Sequence, residues 1–175
     1  KAGAMFRSYC EMQLVPNAQL FGGKLVAALD RQHPRDLFDV HTLMEHQGIT
    51  DEIMEGFLFC LLSSNRPFHE VLKPALPDQK HTLDNQFSGM TDEVFTYDMF
   101  EDTRRKLINM INRKLSTHAR DLIMSFASGA PVWDSSDYSM FPGIKWKLQN
   151  IHTLKEQNPA KHQFQLDQLY DILYK

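Results

Sequence analysis

Apolar and polar residues alternate from Met5 to Val15, with Phe6, Ser8, Cys10, Met12 and Leu14 on one side and Arg7, Tyr9, Glu11 and Gln13 on the other. That is the period of a strand half covered by a core. A single strand is not a sheet, so this segment is expected to belong to a sheet whose other strands lie elsewhere. Pro16-Asn17 ends it, and the period then changes to that of helices. Leu20 to Arg31 carries Leu25, Ala28 and Leu29 at helical spacing, and Pro34 forces His33 out of the helical region and restarts a helix as its first residue. Leu37, Val40, His41 and Met44 share one face of that second helix, which Gly48 closes. Thr50, Asp51 and Glu52 open a third helix from Ile53 to about Leu62, apolar nearly all round and therefore central.

A short helix is predicted from Pro67 to Leu72, and Pro74 to Met90 reads as a long loop. Tyr97 to Leu115 aligns Met99, Phe100, Leu107, Met110 and Ile111 on one stripe. Thr117 or His118 to Phe126 follows, ended near Gly129. Pro142 starts a helix over Gly143 to Glu156, and Pro159 starts the last, with Phe164, Leu166, Leu169, Ile172 and Leu173 as its buried face. The fold class predicted is mainly α, a helical bundle with one N-terminal strand.

Composition narrows the class. The 175 residues are 42% hydrophobic and 23% charged, the balance of one globular domain, which excludes collagenous, low-complexity and wholly disordered chains. A domain of this size buries roughly 70% of its unfolded surface and needs no disulfide framework or structural metal to fold. Cys10 and Cys60 form no Cys-x-x-Cys pair and suit a reducing compartment, so the cytoplasm is the expected location. The longest apolar run, Phe57 to Leu62, is far short of the ~20 residues a membrane-spanning helix needs, and no membrane partner is expected. A net charge of -3 gives no bulk attraction to nucleic acid. The chain opens without an initiator Met or the apolar core of a signal peptide, and reads as a piece of something longer.

The densest chemistry lies at the junction of the first two helices. Lys24, Ala28 and Arg31 fall along one side of the first, while Arg35 and Asp39 stand opposite the Leu37/Val40/Met44 stripe of the second. On residue chemistry alone this is a solvated face in which Arg35 and Asp39 form an i,i+4 ion pair worth ~0.3 kcal/mol. The run Lys-Leu-x-Ala-x-x-x-Arg (Lys24 to Arg31) followed by Arg-Asp-x-x-Asp (Arg35 to Asp39) resembles the AbiEii/AbiGii-type nucleotidyltransferase toxins of abortive-infection and toxin–antitoxin systems. Pro142-Gly143-Ile144-Lys145-Trp146-Lys147-Leu148-Gln149-Asn150 is similar to that family's C-terminal helical segment.

The resemblance implies that residues 20–175 are the family's helical C-terminal domain and residues 1–19 the last strand and linker of a polymerase-beta-like nucleotidyltransferase domain. Such enzymes carry an Asp-x-Asp pair for Mg²⁺ on that sheet. No Asp-x-Asp occurs in these 175 residues, and no acid pair follows Gly22-Gly23, so the chain alone is expected to be inert. The implied roles are Lys24 on a nucleoside triphosphate and Asp39 as the last acid of the site, with Arg31, Arg35 and Asp36 as supporting nucleotide-binding groups. Lys suits a phosphate as a point charge on a flexible stem. The implied partners are the triphosphate, a tRNA or protein acceptor, and a cognate antitoxin.

Other patterns point elsewhere. Arg113 and His118 match the Arg-x4-6-His spacing of HEPN-type ribonucleases, although Lys114 follows the Arg where that family has a small polar residue, and Arg35 to His41 has the same spacing by chance. Six acids lie between Asp84 and Asp102 without a base, and six bases, Arg104, Arg105, Lys106, Arg113, Lys114 and Arg120, follow without an acid. This distribution complements a helix macrodipole or makes a basic ridge that would hold an RNA acceptor by its phosphates. Trp146 between Lys145 and Lys147 suits either core packing or base stacking with the lysines on phosphate. The histidines show no metal-ligand spacing beyond His41 with Asp39 or His46. A non-catalytic helical module binding an antitoxin or RNA is the alternative to the enzyme.

Overall fold

The computed structural model describes residues 12, 14–133 and 138–175. Its helices are α1 (Asn17–Arg31), α2 (Pro34–His46), α3 (Asp51–Ser63), the short α4 (Phe68–Leu72) and α5 (Lys80–Thr82), α6 (Tyr97–Lys114), α7 (Thr117–Ala127), α8 (Pro142–Gln157) and α9 (Pro159–Tyr174). Every long helix except α1 begins at a residue suited to the task. The hydroxyls of Thr50, Thr96 and Ser116 accept the backbone N–H of Ile53, Met99 and Ala119 at 3.3, 3.2 and 3.1 Å. Pro34, Pro142 and Pro159 occupy first helical positions. Gly48 and Gly129 follow helix ends with φ of +73° and +86°, where a side chain would be strained.

α3 is central, as its all-round apolar character predicts. Ile53, Met54, Phe57, Leu61 and Leu62 are buried against Leu25, Val26 and Leu29 of α1. The crossing of α1 and α3 is set by Gly22 and Gly56. A methyl added to Gly22 would lie inside the backbone of Gly56, and one on Gly56 inside the Ala18 carbonyl. α2 and α6 extend the core through Leu37, Val40, Phe100, Leu107 and Ile111, and the α8–α9 pair closes the other side with Ile144, Leu169 and Leu173.

Several expectations need correction. No strand occurs among the described residues; most of Met5 to Val15 lies outside them, and Met12, Leu14 and Val15 are exposed coil. Pro74 to Met90 is not all loop, because α5 continues into a π-helical turn, Leu83–Phe87, whose two end residues are buried. Its helical signal is short, and Phe87 is held by Phe38 and Phe95 rather than by neighbours in sequence. Phe164 is 59% exposed, leaving Leu169 and Leu173 as the buried residues of that stripe. Trp146 is 57% exposed, and Lys147 takes the buried place beside it.

Candidate functional site

α1 and α2 form an elbow, and its hinge explains how the charged residues meet. Gln32 ends α1 in the left-handed region, φ 50°, although it is not glycine and is only 5% exposed. That conformation costs about 1 kcal/mol, and the side chain compensates. Gln32 Nε2 donates to the Ala75 carbonyl at 2.6 Å, while its Oε1 accepts from the Arg104 guanidinium at 3.0 Å. Arg104 also donates to the Pro77 carbonyl at 2.9 Å and pairs with Glu101. On the far side His33 caps α2, its Nδ1 accepting from the Arg35 N–H at 3.2 Å.

The elbow folds α2 back along α1, so residues distant in sequence become partners. Lys24 Nζ donates to Asp39 Oδ2 across the junction, both side chains a little over one-third exposed. Nearer the hinge Arg31 pairs with Asp36 at 2.9 Å, and the other Asp36 oxygen is buried without a partner. Arg35 is exposed and makes no ion pair with a described residue. The within-helix pairing of Arg35 with Asp39 is therefore replaced by Lys24–Asp39, because the elbow brings an ammonium nearer. Four of the charged side chains read from sequence as site residues are thus joined in two ion pairs between α1 and α2, and the Lys24–Asp39 pair borders a water-accessible groove. Each of the two cations on α1 has an acid of α2 as partner, while Arg35 stands exposed on α2.

The residues of this groove lie within the reach of one family model, that of the nucleotidyl transferase AbiEii toxin of type IV toxin–antitoxin systems, which matches residues 3–150. The chain belongs to the AbiEii family. That assigns it to toxin-type nucleotidyltransferases whose systems pair toxin with antitoxin. No curated protein and no solved structure matches the chain.

Away from the α1–α2 junction, the structure scatters the other candidates. Arg104 is 3% exposed and committed to the hinge, which removes it from any RNA-binding ridge. Arg105 faces Glu101 at 3.4 Å and Lys106 faces Asp102 at 2.7 Å, each one turn back on α6. Arg120 donates to the carbonyls of Leu115, Asn112 and Leu173, tying the α6–α7 joint to the end of α9. Of the six bases, the exposed ones are interleaved with acids or spread over several faces. Lys114 lies 3.7 Å from Asp51, and Arg113 and His118 stand at the end of α6 and the start of α7, both exposed.

Lys147 does not reach outward to phosphate. Its ammonium donates to the Leu61 carbonyl, the Ser64 hydroxyl and the Arg66 carbonyl at 3.1, 3.1 and 3.0 Å, and lies 3.7 Å from the centre of the Phe68 ring. It closes the C-terminal end of α3, where a cation complements the helix dipole. Burial pushes it down to about 7, against the opposing pull of Asp30. Gln32 and Lys147 carried no sequence signal for these roles. Among the described residues no group of three His, Cys, Asp or Glu could hold a metal, and no helix is long and apolar enough to cross a membrane.

Proposed function

We propose that this chain is the helical part of an AbiEii-type toxin, which completes a Mg²⁺-dependent site for nucleoside triphosphate binding and nucleotidyl transfer. The reading rests on one observation: Lys24 and Asp39, fifteen positions apart, are paired across the elbow beside an open groove, with the Arg31–Asp36 pair nearer the hinge of the same two helices. Lys24 holds a phosphate oxygen and stabilises the charge that grows on it during transfer. Asp39 keeps the ammonium in place and supplies the site's last acid. Arg31 and Arg35 extend the cationic track, and Asp36 orients Arg31.

The residues present do not make a magnesium site by themselves, since Asp39 and Asp36 are each engaged by a cation and Asp-x-Asp is absent from the sequence. A metal held by an acid pair on a catalytic domain would activate the acceptor hydroxyl. The acceptor is a tRNA or a protein, and the natural partner an antitoxin. The cytoplasm, where triphosphate and acceptor are found, is the proposed location.

The test uses a protein in which the chain is joined to a domain bearing the acid pair. Lys24→Ala and Asp39→Ala each lower nucleotide transfer ~10²-fold or more, the scale seen when one preorganised charge is removed from a transition state, with thermal melts essentially unchanged. The 175-residue chain alone incorporates no labelled nucleotide. Metal-dependent incorporation by that chain, or variants within a few-fold of wild type, would overturn the proposal. The non-catalytic alternative is favoured by the exposure of Met140, Phe141 and Trp146 near the start of α8. It predicts antitoxin or RNA binding lost on Trp146→Ala and indifferent to Lys24→Ala.

A further inference from the structure

The groove is not uniform along its length. Toward the hinge stand the Arg31–Asp36 pair and, on α2, the exposed Arg35. At the open end, where α1 and α2 diverge beyond the Lys24–Asp39 pair, lies a cleft of about 290 Å³. Phe21 on α1 and Phe38 and Leu43 on α2 form its apolar walls, and Thr42, His46 and Gln47 supply polar groups. Phe38 is braced from behind by Phe87 and Phe95, ring centres 5.3 and 5.4 Å away. The Thr42 hydroxyl is buried without a hydrogen-bond partner.

Resting on the nucleotidyltransferase reading above, we infer that this cleft is the nucleobase subsite, with the base packed against Phe21 and its edge met by Gln47, His46 and Thr42 while the phosphates run past Lys24 toward Arg31 and Arg35. Polarity selects the occupant. A ligand must be flat and apolar at one end and strongly anionic at the other, with the Lys24 ammonium at the change, which is the shape of a nucleotide. The cleft is at the small end of ligand pockets and has room for about ten waters. That suits one ring system and leaves the phosphates outside. Lys24 and Arg31 are seven residues apart, about 10 Å along the helix, the reach of a triphosphate tail. Gln47 carries both a donor and an acceptor and can distinguish bases by their edges.

The experiment follows backbone amide signals of the 175-residue chain by NMR on adding each of the four ribonucleoside triphosphates, the four nucleosides, or inorganic tripolyphosphate. Nucleosides should move Phe21, Leu43, His46 and Gln47, and tripolyphosphate should move Lys24, Arg31 and Arg35. Phe21→Ala should weaken triphosphate nucleotides about tenfold, the scale of one lost base–aromatic stack, and leave tripolyphosphate unaffected. His46→Trp, at an exposed rim position, should block nucleosides without disturbing the fold, and Gln47→Ala should change the ranking of the four bases. The inference is overturned if nucleosides leave the cleft unmoved, or if Phe21→Ala and His46→Trp weaken nucleotide and tripolyphosphate alike. If tripolyphosphate also leaves Lys24, Arg31 and Arg35 unmoved, the nucleotidyltransferase reading fails with it; if it moves them, the cleft assignment alone is lost.

Discussion

Along one side of α1, Gly22, Leu25, Val26 and Leu29 meet α3 with backbone nearly against backbone; along another, Lys24 and Arg31 face α2 through half-exposed ion pairs. One helix thus carries a surface that tolerates no added atom and a surface that water still reaches. The first contributes stability through burial and close packing, while an exposed ion pair contributes at most about 1 kcal/mol. Changes on the packed side should therefore move melting and leave specific chemistry alone, and changes on the ionic side should do the reverse.

The largest effect is expected at the helix crossing. Gly56→Ala should cost about 3 kcal/mol or more, above the usual range for overpacking because the added methyl meets backbone that cannot rotate away; chemical denaturation measures it. If the loss is small, α1 and α3 are not as tightly apposed as described. Lys147→Met, at the end of α3, sharpens the same side. It removes the donor of the Arg66 carbonyl and should cost about 1–3 kcal/mol near pH 9. The pH matters because burial lowers Lys147 to about 7 against 10.5 in the unfolded chain. Below pH 7 both states carry the proton and the burial penalty is fully in force. Between about 7 and 10.5 the unfolded chain holds more protons, so wild-type stability rises with pH. The variant should lack that rise, and its deficit should shrink toward pH 6.

The hinge links the two sides. Gln32→Gly relieves the left-handed strain but breaks the bonds to Ala75 and Arg104, for a net loss of about 1 kcal/mol. In the assembled enzyme it should also reduce transfer, since it loosens the elbow that pairs Lys24 with Asp39. A smaller effect belongs to His69, held below its ordinary 6.5 by burial against the opposing pull of Glu70. Its neutral form is favoured in the fold, so stability falls as pH drops through 6.5. His69→Gln should flatten that slope by well under about 1 kcal/mol, given solvent screening. On the ionic side Arg35→Ala should change stability by no more than about 0.5 kcal/mol.

The helices were legible because their signals are local: prolines at 34, 142 and 159, the capping hydroxyl at 50, and apolar stripes between them. The candidate groove was legible as composition, but not as geometry. Arg35 and Asp39 have the spacing of an ion pair within one helix, and only the elbow, set by a left-handed Gln32 and a buried Arg104, gives Asp39 to Lys24 instead. Arg104 and Lys147 were misread for a related reason. A cation in sequence looks like surface, yet both are surrounded by carbonyls from segments 27 to 86 positions away, at Pro77 and Gln32 for one and Arg66 and Leu61 for the other. Gly22-Gly23 held no catalytic turn, and nothing local showed that Gly22 would meet Gly56. Long-range packing decides such residues, and one-dimensional patterns do not carry it.

The most direct test of the central claim is the charge exchange Lys24→Asp with Asp39→Lys in the acid-pair-bearing protein, measured beside each single change for nucleotide transfer and for melting temperature. If Lys24 serves the phosphate, the exchange restores the ion pair and the melting temperature of wild type but leaves transfer at least ~10²-fold down. If the pair is structural, the exchange restores both, and recovery of transfer to within a few-fold of wild type would contradict the account.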